Sequence, residues 1–275
     1  MKLFRKLTIP YVVWLFIFTL IPTLMILMYA VTTSENSVLT FSFTIDNFVK
    51  FFDPTFIKVL VKSFELGILT TIICLVLGYP CAYLISKCSE RRQTLLILLI
   101  TIPTWINMLI RTYAWISILG NNGIINNMLA ALGMGKVTLL YTNFSVILGM
   151  VYNFIPFMIL PIHTSLTKMD KSLIEASLDL GATPFQTFWK ITFRLSLSGV
   201  LTGITMVFLP AISSFMIPKL LGGGQFILIG NFIEQQFITI GDWGFGAAVS
   251  MILAVVVLIT MYIVGKIEKL TTVEE

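Results

Sequence analysis

The residues that invite a chemical reading are few, and they sit in apolar surroundings. Trp105, Asn107, Arg111 and Tyr113 fall inside one hydrophobic run, Thr104 to Trp115. An ionisable group in such a run is costly unless it faces a cavity or reaches an interface. Asn107 and Arg111 stand four apart, on one helical face; Arg111 either lines a cavity or bonds to loop carbonyls near the outer interface. Later in the chain Asp242 precedes Trp243. A carboxylate beside an indole suits an ammonium group, through charge and through the face of the ring. The same pair also suits a helix cap and an interfacial anchor. Glu65 stands three residues after Lys62, so it either pairs with that lysine or faces a cationic solute. This is binding chemistry. A catalytic constellation is absent from the sequence: His163 is the single histidine and has no obvious acid or base partner. No GxxxxGK[ST] string occurs to cradle phosphate, so Gly222-Gly223-Gly224 reads as a loop. Cys74, Cys81 and Cys88 recur every seven residues, facing lipid or a neighbour, with neither a CxxC pair nor a metal-ligand cluster.

The elements that must position these residues are membrane helices. Of 275 residues only 11% are charged, 22 are Phe, and the mean hydropathy is +0.96. That composition places the chain among all-α integral membrane proteins. Apolar windows near 11–31, 59–85, 94–119, 144–166, 195–217 and 247–264 each approach or exceed the ~20 residues a helix needs to cross hydrocarbon. They predict six transmembrane helices in a single domain over 1–275, the third bending at Pro103. The first is too long for a signal peptide and lacks a small-x-small cleavage site, so it reads as an anchor.

Basic residues set the expected orientation. Lys2, Arg5, Lys6, Lys87, Arg91, Arg92, Lys168, Lys171, Lys190, Arg194, Lys266 and Lys269 fall at the termini and in even-numbered loops, against Lys50, Lys58, Lys136 and Lys219 in odd ones. This predicts both termini inside (N-in/C-in). The net charge of +5 is then a topology signal, with no nucleic-acid footprint. Between the first two spans, Thr32 to Lys58 is external, and its Phe43–Phe52 core reads as a short surface helix or an aromatic belt. A second short surface helix is expected after Gly123.

The longest polar interruption in the second half is Lys168 to Gly199. Lys171 to Leu180 has helical spacing, with Leu173, Ile174, Ala176, Leu178 and Leu180 on one side and Glu175 and Asp179 on the other. Gly181 is the expected stop, and Thr183-Pro184 the next start. Glu175-Ala176-Ser177, then three residues, Gly181, nine residues and Ile191, resembles the EAA loop of permease subunits of binding-protein-dependent ABC importers. Two departures are visible: Ser177 stands for the second Ala, and Phe193-Arg194 for the family's Leu-Pro.

The Trp105–Trp115 run resembles the spermidine/putrescine (PotB-type) permeases within that family. So do Gly123-Ile124-Ile125-Asn126, Gly230-Asn231 with Gln236-Phe237, and Asp242-Trp243 with Gly246-Ala247-Ala248. The resemblance implies a type I importer permease (MetI-like) fold in a bacterial inner membrane. It implies ATPase coupling through Glu175, Ala176, Ser177, Asp179 and Gly181, in a loop over about 168–194. It also implies a solute path involving Glu65, Trp105, Asn107, Arg111, Tyr113, Asn231, Asp242 and Trp243. The implied partners are a second, PotC-like permease, two PotA-like ATPase subunits that bind the ATP and Mg, and a PotD-like extracytoplasmic polyamine-binding protein. The chain itself is expected to bind no cofactor. A cationic cargo requires Arg111 to pair with a carboxylate, such as Glu65 or Asp242. Alternatives within the class are thiosulfate, sulfate or ferric iron. A gradient-driven transporter would need midplane ionisable groups, and a membrane enzyme a convergent acid–base set; both fit less well.

Overall fold

A computed structural model describes residues 2–33 and 42–272, with side chains placed over 8–33 and 42–267. Positions 34–41 of the expected external segment, and the side chains of Lys2, Arg5, Lys6 and Lys269, lie outside this description. The described residues are helical, apart from loops and one isolated antiparallel bridge between Thr32 and Phe43.

Along the chain, α1 (Lys2–Leu15) passes through a π turn at Phe16–Leu20 into α2 (Ile21–Ala30), where Pro22 lies in the first turn. Proline supplies no amide hydrogen, and wider hydrogen bonding just before it is a common accommodation. Short α3 (Asp46–Val49) precedes α4 (Pro54–Ser86), which starts on proline. Then come α5 (Glu90–Trp105), α6 (Met108–Leu119) and α7 (Ile124–Ala131). α8 (Asn143–Lys168) opens on a capping box between Thr142 and Ser145. α9 (Lys171–Asp179), α10 (Pro184–Thr187) and α11 (Phe193–Leu195) form the polar interruption, and α12 (Leu197–Ser213) returns to apolar sequence. α13 (Met216–Leu221), α14 (Ile229–Glu234) and α15 (Trp243–Thr272) complete the chain.

Among the described residues, four helices are long and apolar enough to cross a membrane: Thr8–Ala30, Pro54–Ser86, Asn143–Lys168 and Trp243–Ile267. Two bent pairs raise the number to as many as six. The break in the third lies at Ile106–Asn107, three residues beyond the expected Pro103, and turns the chain by 92°. The fifth bends by 59° near Ser196, and its helix stops at Ser213, with 216–221 forming the separate α13. Of the two readings of the Phe43–Phe52 core, a short helix forms, as α3 with the following 3-10 turn, and the helix expected after Gly123 forms as α7.

The chain divides into two compact units. One comprises Met1–Val59 with Phe232–Leu258, the other Leu60–Asn231 with Ile259–Glu275. In the first, Ala30, Ala247 and Ala248 make a small-residue core flanked by Ile26, Tyr29, Phe48, Phe237 and Met251. Beside it, Phe56 gathers Phe51, Phe232 and Phe245 at centroid distances of 4.4, 5.4 and 6.4 Å. In the second, α8 is the central element. Val146, Met150, Met158 and Ile162 are fully buried on it, and α12 packs along its length. Gly199 and Gly203 permit that approach: a Cβ at Gly199 would meet the Pro161 carbonyl oxygen at 2.6 Å. One at Gly203 would meet Met158 Sδ at 2.8 Å. Small residues four apart bring helix backbones close in membranes. Cys74 is buried with its Sγ 3.9 Å from the Val151 carbonyl, so this cysteine faces a neighbouring helix.

Candidate functional site

The EAA-like motif forms a helix–turn–helix whose every joint is hydrogen-bonded. Asp170 caps α9, its carboxylate accepting the Ser172 N–H at 2.9 Å. The helix ends in a Schellman arrangement: Ala182 N–H donates to the Ser177 carbonyl at 3.1 Å and Gly181 N–H to the Leu178 carbonyl at 2.9 Å. Such a stop needs a left-handed residue, and Gly181 supplies it with φ +83°. Thr183 then caps α10 in a capping box with Gln186, with Pro184 at the first position. The Ser177 and Thr187 hydroxyls meet at 3.0 Å and tie the two helices together.

The outer surface of this element is apolar and open. Leu180 is 89% and Phe185 72% exposed, and Leu173, Leu178 and Trp189 are also exposed large apolar residues. Glu175 and Asp179 are exposed beside them. An isolated apolar patch rimmed by carboxylates on a rigid helix suits docking to another protein.

The bonds from the Ser172 backbone and side chain hold the Asp170 carboxyl below the ordinary carboxylate range. A lowered folded-state value means that the cap's contribution is fully present above the unfolded pKa of about 3.9 and is lost as pH falls through the folded one. The cap is therefore expected to persist from about pH 5 to 8. Amide exchange in α9, corrected for intrinsic rates, should be flat over that window. Fraying that begins at neutral pH would contradict it.

The expected solute-path residues are dispersed. Trp105 ends α5 and is 75% exposed. Asn107 is the N-cap of α6, its Oδ1 accepting the Leu109 N–H at 2.8 Å. It therefore stands at the break itself, with Trp105 on the preceding helix. Tyr113 is exposed. Arg111 lies 5.9 Å from the Tyr152 ring centroid, and Tyr152 stacks edge-on against Trp115 at 5.4 Å. Among the described residues, Nε and Nη1 of Arg111 are buried without a hydrogen-bond partner, as is Oδ1 of Asn153 on the same helix as Tyr152.

The expected pairing of Arg111 with Glu65 or Asp242 is corrected by the structure. Glu65 binds Lys62 at 3.1 Å, its nearest cation along the helix. Asp242 binds Lys50 at 3.3 Å, and its other oxygen caps α15 by accepting the Phe245 N–H at 3.0 Å. Trp243 packs on Tyr29 and Phe237, with centroids 5.9 and 5.6 Å away. Lys50 thus takes the carboxylate expected to meet a solute ammonium, and its own ammonium lies 5.7 Å above the Phe245 ring, not over Trp243. Asn231 is buried and holds backbone, donating to the Phe215 carbonyl at 2.6 Å. His163 Nε2 meets Gln93 Oε1 at 3.2 Å. Since Gln93 also donates to the Ser86 and Cys88 carbonyls, its oxygen is the acceptor and the imidazole the donor.

A cavity of about 860 Å³ in the second unit is lined by Phe154, Phe157, Thr202, Met206, Met261 and neighbouring residues. None of the residues expected to line the path contributes to it. Sequence reasoning passed over Tyr79, Asn153 and Ser63, which are buried polar groups on apolar helices; their helical positions facing a neighbour were the available signal.

The comparisons agree with this architecture. Residues 1–272 match the family described as binding-protein-dependent transport system inner membrane component. The chain is 38% identical over 271 residues to the spermidine/putrescine transport system permease protein PotB of Haemophilus influenzae, covering 97% of this chain and 95% of that one. It is 39% identical over 246 residues to PotB of Escherichia coli K12, covering 88% and 90%. Among solved structures, a bacterial ABC transporter involved in the import of the acidic polysaccharide alginate matches with a TM-score of 0.81 at 18% identity, covering 98% and 95% of the two chains. The MetNI methionine ABC transporter matches at 0.59 and 18%, covering 78% and 95%. With helices of spanning length and a capped EAA-like element between them, the chain belongs to the family of inner-membrane components of binding-protein-dependent transport systems.

Proposed function

We propose that this chain is the permease subunit of an ATP-driven polyamine importer. It would receive spermidine or putrescine from an extracytoplasmic binding protein and pass it between itself and a second, homologous permease. ATP and Mg would be bound by two partner ATPase subunits. The observation that carries the coupling role is the exposed apolar patch on α9, fixed at both ends by caps and by the Ser177–Thr187 bond. The choice of cargo rests on the likeness to spermidine/putrescine permeases over nearly the whole chain.

The proposed orientation places both termini and the helix–turn–helix in the cytoplasm, where the basic residues concentrate. Closure of the ATPase pair would displace α9 as a rigid lever. The resulting shift between inward- and outward-open states needs only a few kcal/mol of differential binding.

With Asp242 and Glu65 each paired to a lysine of this chain, the aromatic faces are the cation-binding groups left among the expected path residues. Of the aromatic residues expected on the path, Trp105 is the most open at 75%. An ammonium over its ring gains about 0.5–2 kcal/mol. Trp105→Ala should therefore raise the KM for spermidine about two- to thirtyfold, with less effect on ATPase coupling. An unchanged KM would remove Trp105 from the path.

The test of the function is reconstitution of the chain with its partner subunits in liposomes, followed by uptake of labelled spermidine. ATP-dependent uptake that excess putrescine inhibits and thiosulfate does not is the expected result. Uptake of thiosulfate or ferric iron instead would keep the permease role and overturn the cargo.

A further inference from the structure

The polar interruption continues covalently into α12, yet its side chains lead to a different helix. Phe188, immediately after α10, stands edge-on to two tyrosines one turn apart on α4. Its ring lies 5.9 Å from that of Tyr79 at 87°, and 5.3 Å from that of Tyr83 at 82°. Tyr79 also touches Phe193 at 5.5 Å, and its buried hydroxyl lies 2.9 Å from Ser196 Oγ at the start of α12. On the other side of Phe188, buried Thr187 holds Ser177 of α9. The coupling helix is thus fastened to α4 before the chain reaches α12.

Further up α4, about 24 Å away at a rise of roughly 1.5 Å per residue, is Ser63. It is fully buried, and its hydroxyl accepts the N–H of buried Ile229 at 2.8 Å. Ile229 opens α14, and the segment before it is held by Asn231, which accepts the Leu228 N–H and donates to the Phe215 carbonyl. Between the two attachment points α4 is helical throughout, with its one internal proline, Pro80, at the tyrosine end. A packed helix with specific attachments at both ends carries displacement as a unit, which is one route by which coupling crosses a protein.

We propose that α4 is the transmission element of this permease. The Tyr79–Tyr83 cleft takes up motion of the coupling helix through Phe188, and Ser63 delivers it to the loop before α14. The proposal rests on the importer reading. Phe188 and Ser63 are positioning residues: they act through α4 and touch no solute.

The test uses the complete complex, with both permeases, ATPase subunits and binding protein, in liposomes with spermidine. The readout is spermidine transported per ATP hydrolysed, measured with basal ATPase activity and subunit assembly. Ser63→Ala removes the acceptor of a buried N–H while leaving α12 and the coupling helix untouched. It should lower the transport ratio about fivefold or more, with basal hydrolysis and assembly retained, and Ser63→Thr should restore the ratio. Phe188→Ala should do the same from the other end, and the double variant should be no worse than either single one, since a rod cut twice is cut once. Phe188→Leu replaces Phe188→Ala should the latter not assemble. Ratios at the wild-type value in both single variants would overturn the proposal in favour of transmission along α12. Losses that multiply in the double variant would also overturn it, as two independent lesions. A wild-type complex whose hydrolysis ignores the loaded binding protein would overturn the importer reading itself, a result distinct from either.

Discussion

Gly181→Pro should reduce spermidine uptake about a hundredfold while the protein still inserts and the ATPase proposed as its partner still turns over. Gly181 has φ +83° and its N–H donates to the Leu178 carbonyl. Proline fixes φ near −65° and has no N–H, so both features of the stop are lost, at a cost of about 3 kcal/mol or more. At about 1.4 kcal/mol per decade that corresponds to the stated loss if the native turn is needed for coupling. The turn sets the Ser177–Thr187 contact between α9 and α10, so its failure separates α9 from the membrane helices. A graded series isolates the backbone as the cause. A Cβ at Gly181 would meet nothing within 4 Å, so Gly181→Ala suffers only the left-handed penalty of about 1–2 kcal/mol. Gly181→Asn suffers less, because asparagine visits that region routinely. Uptake per ATP should therefore fall in the order Gly, Asn, Ala, Pro. Wild-type uptake in Gly181→Pro would end the lever mechanism, and an Asn variant as poor as the Pro variant would show that the turn's conformation is not what matters.

This element was the most legible part of the sequence because its signals are local. A helix expected over Lys171 to Leu180 is observed over Lys171–Asp179, with Leu180 as the C-cap. Gly181, Thr183 and Pro184 act within a few residues of themselves, where sequence spacing and spatial contact coincide. Apolar windows likewise located the helices of spanning length, since crossing hydrocarbon is set by length and composition. The interruptions were harder to place. Pro103 is the obvious breaker in the third span, yet the chain turns at Ile106–Asn107, because an asparagine side chain can cap a new helix inside an apolar run. Partners were least legible of all. Asp242 finds Lys50 across most of the chain, and nothing in the residues around Asp242 announces that lysine. Arg111 was expected to meet a carboxylate and instead lies over Tyr152, since aromatic faces compete for a guanidinium wherever carboxylates have nearer cations. Adjacency along the chain predicted the Lys62–Glu65 pair correctly for the same reason that it failed for Asp242: three residues on a helix are neighbours, and distant segments are not.

Gly199→Leu is expected to be among the most damaging single substitutions for the fold itself. α12 approaches α8 at Gly199 so closely that even a Cβ would lie 2.6 Å from the Pro161 carbonyl oxygen and 2.7 Å from Ser165 Cβ. Neither atom is the end of a flexible side chain, so relief requires the helices to separate. Separation would undo the burial of Ile162 and Val200, adding lost packing to the usual overpacking cost of about 1–3 kcal/mol. Gly203 is the informative control. The nearest atom to a Cβ there is Met158 Sδ at 2.8 Å, with the Met158 carbonyl oxygen at 3.2 Å. A thioether can rotate aside, so Gly203→Ala should be milder than Gly199→Ala, although the two glycines occupy equivalent positions of one GxxxG repeat. Thermal unfolding of the detergent-solubilised protein, read as loss of monodisperse species, distinguishes these cases. The expected order of midpoints is wild type, Gly203→Ala, Gly199→Ala, Gly199→Leu, with the last yielding little folded protein. A Gly199→Leu variant as stable as wild type would mean that α12 does not pack on α8 through this seam. Equal effects of alanine at the two sites would mean that helix spacing alone, and not the identity of the atoms facing each glycine, sets the cost.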